Sequence, residues 1–198
     1  MNTPPRVVRR RPPARQLLLN AAARVFARDG LEGATTRAIS REAGVNEVTL
    51  FRQFGTKEHL IEAVVGSRFA AVTQKPGRGT RSLRADLESF ARSYEDLLVA
   101  NLPLIRTMIG EIHRHAHCQH LALKGIFSPM RAALVKRIRT ACDAGDARAG
   151  LDPAVAADMF AGMIFSWVLR RTTVRRPSYG SANYRDECVR VFLNGIAA

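Results

Sequence analysis

Apolar residues recur every three or four positions along most of this 198-residue chain, and the period-two alternation of strands is found nowhere in it. A first helix is predicted over about Ala14–Asp29, where Leu18, Ala22, Val25 and Phe26 share one face and Gly30 ends it. Residues 31–34 form a short loop, and a second helix follows with Ile39 and Ala43 on its apolar side. Gly44 tolerates a positive φ and closes that helix. Val45 is expected as a buried turn residue, and Asn46 caps a third helix whose Leu50 and Phe54 point inward. Thr56 caps a fourth helix running from Lys57 toward Val72, with Leu60, Ile61, Val64 and Val65 as its stripe.

Beyond residues 74–80, a linker by its Pro and Gly content, the pattern remains helical. Helices are expected over about Leu83–Ala100, from Pro103 to roughly His115, and over Leu121–Ala144 with a restart near Ser128 and Pro129. Asp152 caps and Pro153 opens a strongly apolar helix over Ala154–Thr173, and Asn183–Asn194 closes the chain. The fold class is all-α.

The second and third helices, joined by so short a turn, form a helix-turn-helix, in which the second helix enters the major groove of DNA. Thr35 and Thr36 are read as capping residues of the scaffold helix. With Leu50 and Phe54 inward, Glu47, Val48, Thr49, Arg52 and Gln53 face out from the reading helix.

This stretch resembles the DNA-binding domain of the TetR family of bacterial transcriptional regulators, whose pattern runs T-T-x-x-I-A-x-x-A-G-V-S-x-G-T-L-Y-x-H-F-x-x-K-E-x-L. Thr35, Thr36, Ile39, Ala43, Gly44, Val45, Thr49, Leu50, Phe54, Lys57, Glu58 and Leu60 stand at the matching places. Departures include Val48 for a usual small residue, Phe51 for a usual Tyr, and Gln53 for a frequent His. The resemblance implies an N-terminal three-helix DNA-binding domain over residues 14–60, its linking helix continuing to about 73, and a C-terminal helical ligand-binding and dimerisation domain over 74–198. It also implies a cytoplasmic repressor, released from a near-palindromic DNA operator by a small-molecule effector.

The residues assigned to DNA are Thr36, Arg37, Asn46, Glu47, Val48, Thr49, Phe51, Arg52, Gln53 and Lys57. Hydroxyls of Thr36 and Thr49 suit phosphates or base edges. Arg37 can reach either a guanine or a phosphate. Glu47 can accept from a cytosine amino group, or simply favour the positive end of its helix. Lys57, in the first turn of its helix, is placed for a phosphate contact.

Composition agrees with a polyanionic partner: Lys and Arg number 31 against 17 acidic residues, a formal charge of +14. Residues 1–13 form a basic, Pro-containing arm expected to be disordered when free, either entering the minor groove or remaining a solvated tail. Three widely spaced cysteines, Cys118, Cys142 and Cys188, make no disulfide framework. The apolar run over 154–169 carries Asp158 and is read as short of a membrane span, so no membrane partner is expected.

The chain lacks G-x-S-x-G, a phosphate-cradling Gly-rich loop and H-E-x-x-H, so no enzyme and no cofactor is expected. Four of five histidines fall within His113–His120, and His113, His117 and Cys118 or Glu111 raise the alternative of a metal- or redox-responsive regulator. Non-specific DNA binding driven by charge alone is a further alternative. The expected effector site is instead an apolar pocket drawn from Phe90, Tyr94, Leu97, Met108, Ile112, Phe127, Met130, Met163, Phe165 and Trp167. Ala157, Ala161, Met163, Ile164, Trp167 and Val168 make one helix apolar nearly all round. Its second face is left either for a homodimer partner, in a four-helix interface with the last helix, or for the interior of its own subunit.

Overall fold

The computed structural model describes residues 12–73, 82–111, 128–173 and 178–197. Among these residues the regular elements are all helices, with one isolated antiparallel bridge between Ala147 and Ala197. The helices are α1 (Ala14–Gly33), α2 (Thr36–Ala43), α3 (Glu47–Phe54), α4 (Lys57–Thr73), α5 (Leu83–Ala100), α6 (Leu102–Glu111), α7 (Ser128–Asp143), α8 (Pro153–Arg171) and α9 (Ser181–Ile196). Their contacts divide the chain into two compact units, Met1–Val64 and Val65–Ala198.

In the first unit α1 packs on α2 and α3 through Leu18, Ala22, Val25, Phe26, Ile39, Leu50 and Phe54, all buried. Gly30, at φ 74° and ψ 175°, breaks α1 where a residue with a Cβ would be strained, so the last turn changes direction. The buried Leu31 and Ala34 turn into the core beyond that kink. Arg15 lays its guanidinium 5.3 Å from the Phe54 ring centroid, covering the end of this core.

In the second unit α5 lies against α7, α8 and α9, and α8 also contacts α7 and α9. Asp152 accepts from the amides of Ala154 at 2.7 Å and Val155 at 3.4 Å, satisfying two free N–H groups at the start of α8. Phe160 is wholly buried, its ring centroid 6.0 Å from Phe90 on α5 and 4.9 Å from Phe192 on α9. Stacked rings of Trp167, Tyr179 and Tyr184 extend this aromatic layer.

A buried carboxylate ties the same three helices. Glu95 of α5, 2% exposed, accepts from Trp167 Nε1 at 3.2 Å and Arg171 Nη1 at 2.6 Å on α8, and from Arg185 on α9. Burial pushes the Glu95 carboxyl up, but hydrogen bonds from Arg185, Ser181 and Trp167 and the Arg185 charge outweigh it and hold it below its ordinary value.

Helix α8 is longer than the apolar run suggests: its 19 residues have a peak mean hydropathy of 1.2, enough by length and composition to cross a bilayer. Its Asp158 pairs with Arg131 at 2.6 Å, and its inner face packs on three neighbours. The outer face nevertheless keeps Val155 and Met159 55% and 64% exposed.

Candidate nucleic-acid interface

The α2–α3 pair is fixed by glycine geometry in its turn and by a capping side chain at the start of each helix. Thr35 Oγ1 accepts from the Ala38 amide at 3.1 Å, so Thr35 alone caps α2, and Thr36 is its first residue. Gly44 adopts the left-handed conformation (φ 65°, ψ 37°). Its N–H bonds back to Arg41 O at 3.2 Å and the Val45 N–H reaches Ser40 O at 3.1 Å, satisfying the last carbonyls of the helix. Val45 is half-buried rather than buried. Asn46 Oδ1 then accepts from the Val48 amide at 2.9 Å and starts α3.

The inward and outward sides of α3 are cleanly separated. Leu50 and Phe54 are buried, while Asn46, Val48, Phe51, Arg52 and Gln53 are exposed. Arg37 is exposed at the start of α2. Thr49 and Glu47, expected fully outward, are half-buried.

Three of the polar residues, Thr36, Glu47 and Lys57, have intramolecular partners that spacing did not indicate. The half-buried Thr36 hydroxyl donates to Glu47 Oε1 at 2.5 Å, joining α2 to α3 across the turn. Glu47 therefore braces the two helices, beyond the two roles open to it from sequence. Lys57, the expected phosphate ligand, donates from Nζ to the Glu32 carbonyl at 3.4 Å in the kinked end of α1, a long bond that a phosphate can replace. On the opposite side of the scaffold helix, Glu42 is taken up by Arg24 at 2.9 Å and Arg28 at 3.7 Å.

The residues proposed for an effector site separate into two groups. Phe90, Tyr94, Met130 and Phe165 line one cavity of about 230 Å³, which Arg131 and Asp158 also line. Tyr94 is 3% exposed, and burial pushes its phenol up. Met163 lines a different hollow of about 530 Å³ between α8 and α9, with Val155, Met159 and Val191. Leu97, Met108 and Trp167 line neither cavity: all three are buried, with Trp167 turned to Glu95 and Ser181. Ile112, Phe127, Cys118 and the His113–His120 cluster lie outside the described residues. Among the described residues no group of His, Cys, Asp and Glu is placed to hold a metal ion. Cys142 and Cys188 are free thiols, and burial pushes the Cys188 thiol up, against easy ionisation.

Two short capped helices joined by a three-residue turn, one with a solvent-facing polar side carrying Arg52 and Gln53, define a helix-turn-helix DNA-binding protein. Comparison with known proteins agrees across both units. Residues 18–64 match the model of bacterial regulatory proteins of the tetR family, and residues 78–180 match the tetracyclin repressor-like C-terminal domain. The chain belongs to the TetR family of transcriptional regulators.

An uncharacterised HTH-type transcriptional regulator of Bacillus subtilis, YvkB, is 24% identical over 197 residues, covering 94% of this chain and 98% of its own. The HTH-type transcriptional repressor AcnR of Corynebacterium glutamicum is 37% identical over 67 residues, 32% of this chain and 36% of its own. Among solved structures, the regulator FadR from Bacillus subtilis in complex with stearoyl-CoA has the same fold, with a TM-score of 0.75 at 17% identity over 91% of this chain and 98% of its own.

Proposed function

We propose that this regulator is a homodimeric, cytoplasmic repressor that occupies a near-palindromic operator and leaves it when a small molecule fills its C-terminal unit. The observation that carries the DNA half is the exposed side of α3, where Val48, Phe51, Arg52 and Gln53 stand free above a buried Leu50 and Phe54. Arg37, Asn46, Thr49 and Lys57 flank it, with Thr36 and Glu47 setting the angle between scaffold and reading helices. In a two-fold dimer the reading helices enter successive major grooves ~34–36 Å apart. The division of labour follows the chain: residues 14–60 read DNA, α4 continues to about residue 73, and residues 74–198 bind ligand and dimerise.

The apolar cavity lined by Phe90, Tyr94, Met130 and Phe165 supports an apolar or amphipathic effector. Val155, Met159 and Val191, exposed on α8 and α9, support a second copy of the chain as the partner that covers them. Effector binding would act through α4, and a coupling of ~1–3 kcal/mol would lower operator occupancy several-fold or more.

Selection of bound duplexes from random DNA at physiological salt, repeated with Arg37→Ala, tests the proposal. An inverted repeat is expected, and the variant should lose ~1–3 kcal/mol with relaxed preference at one position per half-site. Uniform binding without a consensus would replace the repressor reading with charge-driven coating. An equal loss on every sequence would make Arg37 a backbone contact.

A further inference from the structure

The outward side of α3 carries two large apolar side chains that stay open to solvent. Val48 is 72% exposed and Phe51 48% exposed, one helical turn apart on the same face. A β-branched residue is a mediocre helix former, and apolar surface left in water contributes nothing to the fold. Phosphate oxygens offer such side chains no bond either. In the major groove the apolar group presented by the base pairs is the C5-methyl of thymine.

We infer that Val48, with Phe51 beside it, reads thymine methyl groups, so each operator half-site contains a thymine whose methyl is covered by Val48. The inference rests on α3 being the groove-facing helix. The Thr36–Glu47 bond supports it, because it holds the first turn of α3, and Val48 within it, against the scaffold helix. Arg52, four residues beyond Val48 on the same face, supplies the hydrogen bonds that a methyl contact lacks. Adjacent apolar and guanidinium groups thus read thymine and its neighbour together.

The test uses the selected operator and the full-length protein. Each thymine of a half-site is replaced in turn by deoxyuridine, which keeps the pairing edge and the O4 acceptor and lacks only the methyl. At one position, wild-type affinity should fall about fourfold for one half-site and about fifteenfold when both are changed, the worth of a buried methyl. Val48→Ala, at a site too exposed to disturb folding, should bind the thymine and uracil operators alike. A half-site indifferent to uracil at every position, or a Val48→Ala protein that still discriminates, would overturn the inference and leave the regulator reading standing. Failure to select any sequence would overturn both.

Discussion

Replacing Glu95 by Gln removes one negative charge from the centre of the C-terminal unit while preserving its shape. The wild-type carboxylate is 2% exposed and meets Trp167 and Arg171 from α8 and Ser181 and Arg185 from α9. Removing one partner of a fully buried ion pair costs about 3–5 kcal/mol. Here the Arg171 and Arg185 side chains retain 28% and 19% of their exposure, so water can partly replace the lost charge. A loss of about 2–3 kcal/mol follows, or a melting temperature lower by about 4–12 °C for a chain of this size.

The pH dependence gives a sharper signature. Because the folded state holds the Glu95 carboxyl below its ordinary value of 4.5, the stabilisation is complete above that value and disappears as pH falls through the folded one. Glutamine does not titrate. The gap in stability between wild type and Glu95→Gln, measured by circular dichroism, should therefore be constant from pH 8 to about 5.5 and close as the solution is acidified below about 4.5. The exposed acidic groups Asp29, Glu42, Asp158 and Glu187, also held low by arginines, titrate equally in both proteins and cancel in the difference. A gap under about 0.5 kcal/mol at pH 7, within the range of ordinary surface substitutions, would refute the view that this cluster fastens α5 to α8 and α9. So would a gap that does not change with acid.

Two further outcomes are expected. Met159→Glu places a charge at the centre of the exposed apolar side of α8 and should convert a dimer to monomers, read by sedimentation; an unchanged dimer would place the subunit contact elsewhere. Lys57→Ala should weaken binding to all sequences alike and reduce the slope of log affinity against log salt by about 1 per subunit, whereas an unaltered slope would confine Lys57 to its bond with the Glu32 carbonyl.

The caps and the turn were legible because their signals are local. Thr35, Gly44, Asn46 and Asp152 act within a few residues of themselves, so a capping side chain or a left-handed glycine can be recognised from its immediate neighbours. The apolar stripe of α1 was legible for the same reason, since helical period alone brings Leu18, Ala22 and Val25 to one side. What escaped depends on chain folding: Glu95 meets Arg171 and Arg185 across 76 and 90 residues, and no spacing rule selects those partners from 31 basic residues. Thr36 and Glu47 are only 11 apart, yet spacing assigns both to DNA and does not show that each is the other's partner. Apolar bulk makes Trp167 a candidate for a pocket lining, but nothing in its spacing names Glu95 as the acceptor of its indole N–H.

The brace between Thr36 and Glu47, together with the left-handed Gly44, ties α2 to α3 at two points. Bending the joint would break the brace and force the glycine from its well, so an incoming signal has no inexpensive way to rotate one member of the pair against the other. Whatever controls this module can therefore withdraw or present its grip as a block, adjusting how often the operator is held. The choice of letters stays with the side chains themselves and changes only by mutation.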